Sequence, residues 1–459
     1  MLCCTFVPFR GYTDGMHMAA ARKNKKNSTN YGPAFALITL LFFLWGFITV
    51  LVDSLIPRLR EVFELSYFEA GLVQLAFFLA YFLLSVPAGF ILSRIGYQRG
   101  IVLGLATMAM GCLLFWPAAA YRLFPVFLLG YFTLAGGITI LQVAANPYVS
   151  VLGSESAASS RLNLSQAFNS LGTALAPLVG ALFLLSDRIA GSIEISGMSE
   201  AAREAYFRNE AAAVQRPFLV LAIGIALLAG VFALFKLPQI LQKAPRGGYG
   251  SLLRMPKVRS GVLGVFLYVG AEVAVGSYMV NYLLSMGLDS LILGHDRLRA
   301  VATFILQGEP EARDPKALLG AFVALYWTGA MLGRFAGAYL TRIIAPGRVL
   351  MAFAVSAFTL IVLSVLTEGL TSMWAVLAVG LFNSIMFPTI FGLTLDGLGE
   401  LKPQASGLLC TAIAGGAVVP VAFGYVTDML GFKAAFTLVL LCYAYVGYFA
   451  WRNAGKGTG

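Results

Sequence analysis

Asp53 stands near the end of the first long apolar run, and helical spacing puts Thr49, Gly46, Trp45 and Phe42 on its stripe. An acid, a hydroxyl, a small residue and an indole together suit a wet site. There a carboxylate exchanges a cation, and an aromatic face covers the C–H side of a polyhydroxylated ligand. The competing reading is a carboxylate snorkelling to the interface just before Pro57. Further on, Gln142 and Asn146 lie one turn apart ahead of Pro147. Asn163, Gln166 and Ser170 then follow helical spacing, with Asn169 beside that stripe. Neutral amides both donate and accept, so a set of them matches several hydroxyls without the desolvation cost of charges. The same residues also serve as hydrogen-bonded links between helices.

In the second half Glu272 sits inside an apolar run, followed by Tyr278, Asn281 and Tyr282. Nine residues separate Glu272 from Asn281, which places them on opposite faces of a helix. Glu272 either takes part in cation coupling or pairs with Arg334, the one basic residue away from the ends of a segment. Asn383 and Ser384 precede Pro388, and Asp396 falls at the interfacial end of the same run. Gly333 and Gly337 flank Arg334 in a small-xxx-small spacing that fits close helix packing.

The elements that must hold these residues follow from composition. The chain has 459 residues, 59% hydrophobic and 12% charged. One bilayer crossing takes about 20 apolar residues, and twelve fit. Soluble enzymes, disordered chains and disulfide scaffolds are excluded. Runs of this length are helices, because a membrane β-barrel shows short alternating strands. The apolar segments run near 34–56, 69–92, 100–119, 123–148, 160–185, 216–237, 258–285, 317–341, 347–366, 372–395, 404–427 and 431–452. The polar breaks 186–215, 238–257 and 286–316 separate them, and 238–257 reads as a basic linker between two six-helix halves.

With the N-terminus inside and alternation at each crossing, 19 of the 32 Lys and Arg fall on the inner side and 12 on the outer. That bias obeys the positive-inside rule, so the net charge of +11 reflects topology and not nucleic-acid binding. The expected organisation is a cytoplasmic tail 1–33, a bundle 34–237, a linker 238–257, a bundle 258–452 and a cytoplasmic tail 453–459. An internal repeat supports two parallel halves. The motif ending at Ser93-Arg94 recurs at Thr341-Arg342, Pro147 at Pro388, Pro177 at Pro420 and Gly180 at Gly424, at offsets between 241 and 248. Repeats about an axis along the membrane normal characterise a known transporter architecture.

Other chemistry is thinly represented. The only histidines, His17 and His295, lie outside the apolar segments. Cys3 and Cys4 are in the tail, while Cys112, Cys410 and Cys442 read as small buried hydrophobes, and no CxxC occurs. A phosphate-binding loop and a hydrolytic set are absent from the sequence, so neither an enzyme nor a resident cofactor is expected. Residues 1–33 do not read as a signal peptide, and Met16 or Met18 are alternative starts. Gly136-Gly137 and Gly415-Gly416 inside helices are expected to serve close approach.

Phe42-Phe-Leu-Trp-Gly46, Leu141-Gln-Val-Ala-Ala-Asn-Pro-Tyr148, Ser160-Arg-Leu-Asn163 and Gln166-Ala-Phe-Asn-Ser170 resemble a known set of motifs. They resemble those of the fucose/galactose/glucose:cation symporter family of the major facilitator superfamily. Tyr268-Val-Gly-Ala-Glu272 and Asn383-Ser-Ile-Met-Phe-Pro388 extend the likeness, which runs from about residue 34 to 450, into the bacterial glucose/galactose transporter branch. The resemblance implies an all-α membrane protein of twelve transmembrane helices in two six-helix bundles. It further implies import of a hexose by symport with a proton or sodium ion, with no other cofactor, in the bacterial inner membrane, by a monomer.

Asp53 matches the family's segment-one carboxylate, implicated in coupling. The expected sugar ligands are Trp45, Gln142, Asn146, Asn163, Gln166, Asn169, Tyr278, Asn281 and Asn383. Two departures stand out. Gln142 replaces a second acid of the fucose branch, leaving Asp53, helped by Glu272, or a sodium ion to serve. Ser93 stands where the superfamily has an acid, so its usual gating salt bridge is expected to be rearranged. An uncoupled facilitator and a membrane sugar sensor are the alternatives, and efflux of apolar drugs would not call for this many amides.

Overall fold

In a computed structural model, residues 31–53, 67–183, 198–238, 248–306, 308–310 and 313–455 are described, and among them there is no β-strand. The first half consists of α1 (Gly32–Asp53), α2 (Tyr67–Ile95), α3 (Tyr97–Ala120), α4 (Phe124–Val151), α5 (Ala158–Phe183) and α6 (Glu200–Leu234). A short helix α7 (Gly248–Arg254) precedes α8 (Pro256–Ser285), and α9 (Leu288–Leu293) and α10 (Asp296–Leu306) follow it. Then come α11 (Pro315–Ile343), α12 (Pro346–Leu366), α13 (Gly369–Asn383), α14 (Met386–Leu395), α15 (Lys402–Thr411), α16 (Gly415–Leu430) and α17 (Phe432–Arg452).

Eleven spans among the described residues are long and apolar enough to cross a membrane; α13 with α14, and the stretch from Gly399 through α15 and α16, each make one span. The remaining crossing is α5, whose 26 residues rise far enough to traverse the hydrocarbon. Its Asn163, Gln166, Asn169 and Ser170 make it the least apolar of the set. The twelve crossings form two bundles. In the first, α3 packs on α4 and α6, α2 on α4, and α1 on α5. In the second, α8 packs on α16 and α17, α11 on α13, and α12 on α13 and α17.

Two polar breaks are shorter than expected. The helix α6 reaches back to Glu200, capped by Ser199, because Ala, Glu and Arg there are strong helix formers. The 286–316 stretch holds α9 and α10. Within 238–257, the residues Lys243, Arg246 and Gly247 lie outside the described residues, as do Cys3, Cys4, Met16, Met18, His17 and Pro57. At Gly96 (φ 83°) and Gly431 (φ 86°) one residue joins two helices, a left-handed conformation that glycine alone adopts without strain.

The halves meet at the end that carries Arg94, Lys257, Arg342 and Arg452, here called the basic end. There α2 crosses α15 so closely that a Cβ on Gly407 would lie 2.7 Å from the Ser85 carbonyl oxygen and 3.3 Å from the Gly89 Cα. The phenol of Tyr249, on α7, is wedged into that crossing and donates to the Val86 carbonyl at 2.5 Å. Burial pushes this phenol above its ordinary value, so it stays a donor. Ser160 Oγ donates to the Ala338 carbonyl at 2.6 Å, and Lys402 meets Glu155 at 3.1 Å. Ser93 instead turns back on its own helix, donating to the Phe90 carbonyl at 2.7 Å.

Closure at the basic end therefore rests on a tyrosine wedge, the Ser160–Ala338 bond and the Lys402–Glu155 pair, among other contacts. Replacing Tyr249 by Phe removes one hydrogen bond that forms only when this end is shut, a change of about 1 kcal/mol. Spin labels on the two halves at the basic end should then report about a fivefold gain in the open population. An unchanged distance distribution would refute the wedge.

Candidate functional site between the two halves

Close backbone approach brings α1 against α5. A Cβ on Gly46 would fall 2.3 Å from the Asn169 carbonyl oxygen, and one on Gly172 would fall 2.2 Å from that of Phe43. Phe42, Trp45 and Gly46 are accordingly buried on this seam, with the Phe42 and Trp45 rings 5.4 Å apart. Asn169 Nδ2 donates to the Phe42 carbonyl at 2.9 Å, and Thr49 Oγ1 donates to that of Trp45 at 2.9 Å. Asp53 is the last residue of α1, and its side chain lies outside what the structure describes.

The amides of α4 and α5 meet. Gln142 Nε2 donates to the Tyr81 hydroxyl on α2 at 2.5 Å. Gln166 Nε2 reaches Asn146 Oδ1 at 3.4 Å. Asn146 is fully buried, and its Nδ2 has no hydrogen-bond partner among the described residues. An unmatched buried donor costs about 1–3 kcal/mol, which an arriving hydroxyl recovers. One turn above Gln166, Ser170 Oγ donates to the Gln166 carbonyl at 3.2 Å.

Ser170 Oγ also accepts from Arg334 Nη1 on α11, in the other half. Arg334 Nη2 in turn lies 3.9 Å from Glu272 Oε1 on α8, and both side chains are largely buried. Its Nε donates to the Ser384 carbonyl at 3.1 Å. That acceptor exists because Pro388 lacks an N–H, which frees the carbonyl four residues earlier and ends α13 at Asn383. The first half repeats the device. Pro147 frees the Val143 carbonyl, and Ser406 Oγ on α15 takes it at 2.9 Å. In both repeats a proline in the corresponding helix exposes a carbonyl, and a residue of the second half satisfies it.

A continuous polar path results: Glu272, Arg334, Ser170, Gln166, Asn146. It links an acid of the second half to the amides of the first. The Gly333 and Gly337 packing holds as expected, because a Cβ on either would sit on the Leu381 carbonyl or on Ile385.

Other expected ligands lie elsewhere. Asn163 is fully buried toward the basic end, where its Nδ2 bonds the Ser159 carbonyl at 2.9 Å and reaches Thr389 at 3.2 Å and Thr341 at 3.4 Å. It therefore ties the halves together in this conformation. Asn383 Nδ2 donates to the Tyr326 hydroxyl at 2.7 Å within the second half. The Tyr278 ring lies tilted beside that of Phe423, centroids 5.1 Å apart, with its hydroxyl against Gly424. Asn281 is exposed, on the face away from Glu272. Tyr81 and Tyr326, both fully buried hydroxyl partners of amides, were not singled out by sequence reasoning. Their spacing in apolar runs does not separate them from tyrosines at membrane interfaces.

Two bundles of six crossings, related by a repeat and joined by a polar seam, define a secondary-transporter fold. Comparison with known proteins agrees. The Major Facilitator Superfamily profile matches residues 34–420, and the chain belongs to that family. It is 46% identical over 423 residues to a glucose/galactose transporter of Brucella abortus biovar 1 (strain 9-941), covering 92% of this chain and 94% of the relative. It is 34% identical over 445 residues to the L-fucose-proton symporter of Escherichia coli (strain K12), covering 94% and 95%. The crystal structure of the transporter FucP in the outward conformation superposes with a TM-score of 0.83 at 32% identity, over 93% of this chain and 100% of that one.

Proposed function

We propose that this protein imports a hexose of the glucose/galactose type together with a cation, proton or sodium, by alternating access. It works as a monomer in a bacterial inner membrane with both termini cytoplasmic, so that the basic end faces the cytoplasm. The observation that carries the reading is the polar path from Glu272 through Arg334 and Ser170 to Gln166 and Asn146. It gives a charge in one bundle a direct mechanical hold on the amides of the other. The likeness to a glucose/galactose transporter at 46% identity supports the substrate class.

In the mechanism, Asp53 takes the cation, and Gln142, Asn146 and Gln166 receive hydroxyls of the sugar. Trp45 and Asn169 frame the site from the α1–α5 seam. Asn163, Tyr278 and Asn383 join when the halves rock, while Asn281, on the opposite face of α8, stays outside that set. The shut basic end supports an outward-facing reading, the conformation of the FucP crystal structure that the chain resembles. Rocking toward the inside separates Ser170 from Arg334, and a ligand that replaces this contact shifts the balance between the two states. Glu272 and the Ser384 carbonyl then hold Arg334 within its own half.

Binding of glucose and galactose to the purified chain tests the reading. Gln166→Ala removes one sugar contact and the bond that orients Asn146, so affinity should fall at least about fivefold. Unchanged affinity would remove Gln166 from the site. Absence of binding for either hexose would defeat the substrate assignment.

A further inference from the structure

On the outer face of the second bundle, between α12 and α17, runs an apolar groove of about 400 Å³. Its floor is made of the small residues Ala354, Ala444 and Gly447, and its walls include Phe358, Tyr448 and Trp451. From Met351 to Phe358 it extends about 10 Å along the helix axis. Tyr448 also lines a second, smaller pocket of about 90 Å³ at the basic end, between the start of α8 and the end of α17. Lys257, Ser260, Arg452 and Asn453 surround that pocket.

The charges there are unequal. Lys257 Nζ donates to the Asp396 carbonyl and lies 3.7 Å from its carboxylate. The Arg452 guanidinium stands over the Tyr448 ring at 5.8 Å, with Nη1 3.4 Å from its hydroxyl. Lys257 is thus matched by Asp396, and Arg452, set against Tyr448, adds a second positive charge beside the pocket. Tyr448 and Trp451 remain 48% and 66% exposed, as expected of aromatic side chains at a membrane interface.

An apolar slot as deep as part of an acyl chain, opening at its interfacial end into a basic, hydroxyl-bearing pocket, has the two-part chemistry of an anionic phospholipid. We propose that α8, α12 and α17 form a binding site for one such lipid. Its phosphate would lie between Arg452 and Lys257, and one acyl chain would pass Tyr448 into the groove. A second copy of the chain is the poorer occupant, because a two-fold contact on this face would bring the basic pockets of both copies together.

Native mass spectrometry of the full chain tests this with palmitoyl-oleoyl phosphatidylglycerol and the matching phosphatidylcholine. The native chain should retain one phosphatidylglycerol about fivefold more strongly than phosphatidylcholine. Arg452→Gln, at an exposed position, should bring the two lipids level. Gly447→Leu should weaken retention of both, since a side chain there meets only the Ala354 Cβ at 4.0 Å and would enter the groove. Equal retention of the two lipids by the native chain would overturn the proposal, as would retention unchanged in both variants. Displacement by glycerol 3-phosphate alone, or a dimer that Gly447→Leu disrupts without any lipid preference, would overturn it too.

Discussion

Vesicles carrying Asp53→Asn should equilibrate hexose across the membrane and fail to concentrate it. One positive charge moving inward through 100 mV gains about 2.3 kcal/mol, enough for roughly 50-fold accumulation. That gain reaches the sugar only if the cation and the sugar cross in the same half-cycle. Asp53 ends α1, the helix whose Phe42, Trp45 and Gly46 form the seam with the amide-bearing α5. A neutral amide there keeps the size of the side chain and removes the charge that must be matched before the halves rock. Exchange of labelled for unlabelled sugar should persist, because it needs no net cation movement. Undiminished uphill uptake by the variant would remove Asp53 from coupling.

Arg334→Ala should be the most damaging change in the second half. The guanidinium touches Glu272, the Ser384 carbonyl and Ser170 of the opposite bundle. Without it, a largely buried carboxylate and a carbonyl freed by Pro388 are both left unmatched. Breaking a buried pair from one side costs about 3–5 kcal/mol, which thermal unfolding in detergent should register as a clear loss. The control is Glu272→Leu with Arg334→Met, which replaces the pair by apolar residues of similar size. It should recover the part of the loss due to the uncompensated carboxylate, leaving only the about 1–3 kcal/mol of the unmatched Ser384 carbonyl, while sugar accumulation stays lost. A stable Arg334→Ala chain, or a double variant that accumulates sugar normally, would contradict the role given to this pair.

The twelve crossings were legible because hydrocarbon admits few solutions: each run of about 20 apolar residues has to satisfy its own backbone, and only a helix does so locally. The same cost argument singled out Glu272, Arg334 and the amides, since polar groups in such runs need a partner. What stayed hidden is which partner. Asn163 meets Thr341 and Thr389, 178 and 226 positions away, and no local pattern announces those contacts. The offset between Pro147 and Pro388 was visible as a repeat. That each frees a carbonyl taken by Ser406 or Arg334 required the packing of helices from the second half. Ser93 marked a departure at the basic end without pointing to Tyr249, because the linker helix that carries it is only seven residues long.

Coupled transport is tested most directly by hexose uptake into vesicles containing the native chain, with proton gradient, sodium gradient and membrane potential imposed one at a time. It predicts accumulation above equilibrium under an inward cation gradient, collapsing when an ionophore dissipates that gradient. Uptake that stops at equal concentrations under all three conditions, with or without ionophore, would contradict it.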